Sequence, residues 1–237
     1  MVPSIEATGI VVNAGQDIIL AEASLAVNSG EYVALKGENG SGKSTFLNVI
    51  TGRGFQDRAP EQGEVLLNGV SVWTLSKKDR RELRSTELGY VSQVAVDGLL
   101  PGQTVAKNLV LSANGRKQKV HKDRLDEVVD YYGFGEFMKR NVGRLSGGQR
   151  QLLAIMKAEV TDPGILVMDE PMAALSEGRI AQVEQRLLSL AQISGKLIIE
   201  VSHQSKPAAT RIVHFEHGKI VNGRPLVPRT SHKRSLL

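Results

Sequence analysis

The chain contains no cysteine, which removes disulfides, thiolate nucleophiles and zinc–thiolate sites from consideration. Aromatic residues make up only 4%, too few for the stacking platforms that read single-stranded nucleic acid. No apolar run approaches the length of a membrane span. The opening Met1–Glu6 lacks the charged and apolar blocks of a signal peptide. No internal repeat is visible, so a single unit is expected, not a tandem pair. A large excess of one charge is also missing. Lys plus Arg is 30 against 25 for Asp plus Glu, and the net +5 permits contact with an acidic surface without requiring one. These absences predict a soluble cytoplasmic protein whose 237 residues bury one good core or two small ones. If it serves a membrane process, other chains must supply the spans.

What is present centres on Gly37–Thr45, GENGSGKST, which fits the phosphate-binding pattern G-x-x-x-x-G-K-[ST]. Glu31–Lys36 before it reads as a short buried strand, and Phe46–Ile50 after it as an apolar helix. The physical reason for this arrangement is charge. Glycines let backbone N–H groups approach a polyphosphate with no Cβ in the way. The helix N-terminus adds unpaired N–H groups and a partial positive charge. Lys43 would reach the β- and γ-phosphates and the Ser44 hydroxyl would ligate Mg²⁺.

Residues 5–35 alternate and turn like a small antiparallel sheet, with runs at Ile10–Val12, Ile18–Leu20, Leu25–Val27 and Tyr32–Leu35. Gly63–Gly69 reads as strand then turn. Lys77–Arg84 reads as a charged helix with Ser76 as its cap. Leu88–Gln93 reads as a strand ending in glutamine. From Val94 to Met138 the pattern changes to a helical insertion. Its basic residues Arg116, Lys117, Lys119, Lys122 and Arg124 are interleaved with Asp123, Asp126, Glu127 and Asp130. That interleaving points to a salt-bridged surface helix, with Leu125, Val128 and Val129 facing inward, not to a nucleic-acid patch.

Leu145–Arg150 places a Ser-Gly-Gly turn before a helix over Gln151–Val160, a second anion site by the same backbone physics. Gly164–Glu170 is a continuous apolar strand ending in two acids, as suits a strand buried on both faces of a parallel sheet. Asp169 is placed to hold Mg²⁺, directly or through water, and Glu170 to polarise a water attacking the γ-phosphate. Arg179–Ala191 reads as an amphipathic helix and Lys196–Val201 as another buried strand. His203 follows on the ligand side of the sheet. His214 and His217 on a closing hairpin lack an evident third metal ligand. The tail 223–237 carries Arg224, Arg229, Lys233 and Arg234 and no acid. It reads as a basic arm, and its Leu226–Arg229 stretch looks like an expression-tag protease site.

From about Ile5 to Val221 these residues together resemble the ATP-binding subunit of an ABC transporter. Gly37–Thr45 matches the Walker A motif, Gln93 the Q-loop and Leu145–Gln149 the signature. Ile165–Glu170 matches Walker B with its catalytic glutamate, and His203 matches the switch histidine. Leu75-Ser76, Leu83-Arg84, Leu88–Gln93 and Leu99–Pro101 further resemble the branch of lipoprotein-release, macrolide-export, haem-export and cell-division ATPases.

The resemblance implies an α/β P-loop NTPase fold over residues 1–222. Its core sheet is mainly parallel, with an N-terminal antiparallel subdomain and a helical insertion at about 94–160. It also implies ATP and Mg²⁺ as cofactors, a second copy of the chain paired head to tail, and a membrane-spanning subunit reached through the groove at Gln93–Leu111. The chain would then work at the cytoplasmic face of the membrane, with no nucleic-acid partner. One copy's Gly37, Asn39, Gly40, Ser41, Gly42, Lys43, Ser44 and Thr45 would hold the nucleotide against the other's Ser146, Gly147, Gly148 and Gln149. The implied metal contacts are Ser44, Gln93 and Asp169, and the implied catalytic set is Glu170, His203, Gln93 and Lys43.

Some positions depart from the pattern. No aromatic stands near Asn13–Ala14 to stack on adenine, Ser176 replaces the D-loop aspartate, and Leu152 and Lys157 replace commoner arginines. The missing aromatic and Ser176 keep open a regulatory module that hydrolyses poorly, and the basic balance keeps open a soluble ABC ATPase acting on DNA or ribosomes.

Overall fold

The computed structural model describes residues 2–94, 98–114, 120–202 and 208–221, with the side chains of 112–114 excepted. His203, the basic residues Arg116, Lys117 and Lys119, and the tail from 222 lie outside the described residues.

Two sheets are present. In the first, β1 (Ser4–Ala14) pairs antiparallel with β2 (Asp17–Asn28) and with β4 (Gln62–Leu67), and β5 (Val70–Ser71) closes the edge. The runs at Ile18–Leu20 and Leu25–Val27 form one strand, irregular in register where Glu22 takes a positive φ of 59°. The second sheet has the order β10-β9-β3-β8-β7-β6. Strands β3 (Tyr32–Lys36), β6 (Leu88–Val91), β7 (Ile165–Asp169), β8 (Leu197–Val201) and β9 (Arg211–Glu216) run parallel, and β10 (Lys219–Ile220) hairpins back on β9.

One expectation is corrected here. Tyr32–Leu35 does not belong to the antiparallel sheet, because it lies between β8 and β9 in the parallel one. All four residues are fully buried. A strand with no solvated face has no reason to alternate, and the centre of a parallel sheet is where such a strand fits.

Helix α1 (Lys43–Ile50) fills the space between the two sheets. Its Phe46 ring lies 5.2 Å from that of Phe215 on β9. The opposite face of the parallel sheet is covered by α5 (Gly147–Glu159) and α6 (Glu177–Gln192). Helix α2 (Lys77–Glu87) is capped by the Ser76 hydroxyl, which accepts from the Asp79 amide, as the sequence predicts.

Between β6 and β7 the chain also forms α3 (Val105–Asn114) and α4 (Lys122–Tyr132), both packed on α5. The ion pairs of α4 mainly tie helices together and do little to decorate a surface. Arg124 reaches Glu127 one turn on, at 2.7 Å, and also Glu159 of α5 at 3.0 Å. Glu159 is only 1% exposed and is held further by Arg186 of α6 and by the Tyr132 hydroxyl. A carboxylate buried this far is tolerated because its oxygens are occupied by two guanidiniums and a phenol. Among the described residues no helix is long and apolar enough to cross a membrane.

Candidate functional site

The loop from β3 to α1 is shaped by close approach. A Cβ on Gly37 would sit 2.3 Å from the Phe215 carbonyl oxygen, and one on Gly42 would sit 2.8 Å from that of Ile19. Gly42 also adopts a φ of 101°, which side chains rarely take, so glycine is required at both positions. Gly42 is the N-cap of α1, and no side chain caps that end. The first N–H groups of the helix therefore face the loop.

The Lys43 ammonium is nearly buried and folds back over its own loop. It donates to the carbonyl oxygens of Gly37 at 2.8 Å and Glu38 at 2.7 Å. Burial pushes it below its ordinary pKa, while the carboxylates of Glu170 and Asp169 act the other way. A cation desolvated in this manner gains most when a polyanion enters.

Beside the loop lies a cavity of about 540 Å³, lined by Lys43, Ser44 and Thr45 together with Gln93, Glu170 and the β2 residues Asp17–Ile19. Strand β6 stops at Val91, so Gln93 lies two residues past it. From there its amide donates to the Glu170 carboxylate at 3.2 Å. Asp169 is the last, buried residue of β7, and Glu170 follows with a φ of 49°. That left-handed turn lifts the Glu170 side chain off the strand line and over the cavity mouth.

The structure thus brings together Lys43, Ser44, Thr45, Gln93 and Glu170. Gly37 and Ser41 line a neighbouring polar hollow of about 470 Å³ that shares Asn39 and Gly40 with the first.

Ser146, Gly148 and Gln149 are not part of this assembly. They border a separate cavity of about 410 Å³, together with Leu152, Leu175 and Ser176. Ser146 and Gln149 form a reciprocal cap at the start of α5: the Gln149 amide donates to the Ser146 hydroxyl, and the Ser146 amide to the Gln149 side chain. The cap leaves Gly147 exposed at the tip, while Gly148 is half-buried, where a Cβ would sit 2.9 Å from the Ala174 carbonyl oxygen. Leu152, where an arginine is commoner, is buried there and makes that cavity's floor apolar.

The antiparallel sheet reaches the first cavity through β2 residues that the sequence does not single out as site residues. Ile18 and Ile19 line it, with Ile18 largely exposed, so the wall beside the loop is aliphatic where an aromatic was sought near Asn13–Ala14. The signal was the apolar run Ile18–Leu20 directly after the Gly15-Gln16 turn.

A donor set of Ser44 hydroxyl, Asp169 carboxylate and Gln93 side chain is all oxygen where it would meet a cation, which suits the hard ion Mg²⁺. Among the described residues no three His, Asp or Glu side chains gather to hold a metal by themselves. A cation here would therefore depend on phosphate oxygens for the rest of its shell.

Comparison with known proteins agrees with this geometry. The ABC transporter family profile matches residues 20–173. The putative hemin import ATP-binding protein HrtA of Staphylococcus haemolyticus is 32% identical, over 86% of this chain and 91% of that one. The lipoprotein-releasing system ATP-binding protein LolD 1 of Rhodospirillum rubrum is 36% identical, over 86% and 89%. Among solved structures, the dimeric post-hydrolysis state of the ATP-binding cassette MJ0796 bound to ADP and Pi superimposes with a TM-score of 0.82 at 26% identity. That match covers 92% of this chain and 97% of the cassette. The chain thus belongs to the ABC transporter family as an ATP-binding subunit.

Proposed function

We propose that the chain hydrolyses ATP with Mg²⁺ as a head-to-tail pair and uses the cycle to drive a separate membrane-spanning subunit. Likeness to the lipoprotein-releasing relative favours export, or extraction from the membrane, as the direction of transport. The observation that carries the reading is the division of the site. The phosphate loop lines one cavity and the Ser-Gly-Gly helix start another, so a single copy grips a nucleotide from one side only.

In this reading Lys43 binds the β- and γ-phosphates, and the backbone of Gly37–Thr45 cradles them. Ser44 and Asp169 hold the metal with Gln93 beside them. Magnesium, when bound, neutralises charge on the β- and γ-oxygens. Glu170 takes a proton from the attacking water, and His203 contacts the γ-phosphate. Ser146, Gly147 and Gly148 of the second copy close the other side, excluding water and fixing the line of attack.

Pairing is testable by light scattering. With Glu170→Gln to block turnover, Mg-ATP is expected to convert the chain from monomer to dimer. Adding Ser146→Arg puts a bulky cation at the contact and is expected to leave a monomer that still binds nucleotide. Equal dimerisation by the double variant would overturn the reading.

A regulatory module with weak hydrolysis is the second reading. Ser176 and the aliphatic Ile18 wall favour it, since a base resting on isoleucine forgoes aromatic stacking. Stacking is worth about 1–3 kcal/mol per base. Ile18→Tyr is therefore expected to tighten ATP binding roughly fivefold or more in equilibrium titration. An unchanged Kd would show that the base lies elsewhere.

A further inference from the structure

Helix α6 opens beside the Ser-Gly-Gly helix start without a side-chain cap, since Ser176 stands at its N-cap and makes no capping bond. It is held from the flank instead. Arg179, half-buried on the first turn, donates to the Tyr132 carbonyl at 2.9 Å and to the Gln182 side-chain oxygen at 2.7 Å. The Gln182 amide donates to the Tyr131 carbonyl at 2.7 Å, and the Tyr131 hydroxyl donates to the Gln182 carbonyl at 3.0 Å. Tyr131 and Tyr132 end α4, where Gly133 turns left-handed. Carbonyls at a helix C-terminus have no partner in their own helix and carry partial negative charge. A guanidinium and an amide aimed at them are therefore well matched.

This ring of bonds spans a gap. The chain leaving α4 runs through Phe134 and Phe137 to Ser146, and the chain leaving β7 runs through Glu170 to Ser176. Between the two lies the cavity of about 410 Å³, with Ser146 and Gly148 in one wall, Ala174 and Ser176 in another, and Arg179 at its border. The two pieces also meet where the Gly148 backbone approaches the Ala174 carbonyl. One such pivot leaves them free to tilt, and a second fixed point removes the tilt. Arg179 supplies that point. A further tie, from Arg186 to Glu127, sits two turns along α6 and holds the far part of α4.

We propose that Arg179 is a positioning residue. It sets how the Ser146–Gly148 helix start stands relative to the turn carrying Glu170, and so how well this face closes on the nucleotide held by a second copy. The inference rests on the paired reading above. Lys43 and Ser44 line the other cavity, so a copy's grip on its own nucleotide does not depend on Arg179. Binding and turnover should then separate, because a misplacement of about 1 Å can cost roughly 10²-fold in rate.

The test uses the absence of cysteine. Glu136→Cys, between α4 and Ser146, and Gln185→Cys, on α6, are exposed positions that put one spin label on each piece. Pulsed EPR is expected to give a narrow distance with Arg179 present and a broadened one in Arg179→Met, which keeps the stem and removes the donors. Without labels, Arg179→Met is expected to bind ATP as a monomer within about twofold of wild type and to lose about tenfold or more in turnover. Arg179→Lys keeps a cation within reach of both acceptors and is expected to recover most of that loss. Wild-type turnover in Arg179→Met overturns the inference. So does lost turnover with an unchanged label distance, or turnover and affinity lost together and not restored by lysine. These outcomes leave the paired reading standing. That reading fails if the wild-type chain shows no turnover and Glu170→Gln does not pair in Mg-ATP.

Discussion

Glu170→Gln is expected to lower ATP turnover by roughly 10²–10⁴-fold while leaving nucleotide affinity within a factor of two. The size follows from what is removed. The substitution deletes a proton acceptor and almost nothing else. The replacing amide has the same length and still presents a carbonyl oxygen to the Gln93 Nε2 donor, which lies 3.2 Å from Glu170 Oε1. The phosphate loop is untouched, because Lys43 is held by the Gly37 and Glu38 carbonyls. Binding and hydrolysis should therefore separate, with ATP accumulating in the closed pair. Single-turnover kinetics on the purified chain read this directly. Turnover equal to wild type would remove Glu170 from the role of base. A parallel loss of binding and turnover would instead mean that its left-handed backbone turn, at a φ of 49°, carries the effect through structure.

The residues that read most clearly in the sequence are those whose chemistry is local. Gly37–Thr45 is legible because a tight turn, a close backbone approach and a helix start must follow one another along the chain. Ser146–Gln149 is legible for the same reason, although its reciprocal cap adds a structural task for Gln149 that resemblance alone did not suggest. What could not be read are relations between distant segments. Tyr32–Leu35 looked like one more strand of a meander, since a four-residue apolar run does not announce whether its neighbours are antiparallel or parallel. The acids of α4 were expected to pair along their own helix. The principal partner of Arg124 beyond Glu127 is Glu159, 35 residues on, brought close only by helix packing. Arg53 and Tyr90 are separated by 37 positions, and neither residue type alone hints at the other. Departures from the family pattern were visible, but their consequences were not. Leu152 became intelligible only as the apolar floor of the cavity beside Ser146 and Ser176.

Glu200 is the residue whose physics the sequence concealed most, and it supports the second large effect. In the run Leu197–Val201 it looks like a polar interruption at a strand end, yet it is 1% exposed. Burial drives its pKa up from 4.5 to about 8, and Glu184 of α6 adds to the rise. The Tyr32 phenol and Lys36 of β3 pull it down without cancelling it. The carboxyl is thus protonated in the folded chain below about pH 8, whereas in the unfolded chain it ionises above about 4.5. Between those values the native state holds the extra proton, so stability falls as pH rises, and the whole penalty is present above pH 8.

A shift of this size corresponds to a few kcal/mol, at about 1.4 kcal/mol per pKa unit. Glu200→Gln stays neutral at every pH and keeps the volume. It is expected to match wild type within about 1 kcal/mol at pH 5, where both side chains are uncharged, and to be more stable by a few kcal/mol at pH 8.5. Comparing the two proteins at each pH cancels every other titrating group. Urea midpoints at pH 5 and 8.5 suffice, and stability curves that run parallel across that range would show that the carboxyl stays neutral or finds a cation. Because β8 enters the sheet between the strands that carry the phosphate loop and Asp169, the charge that Glu200 acquires in alkaline solution loosens the frame on which both are mounted.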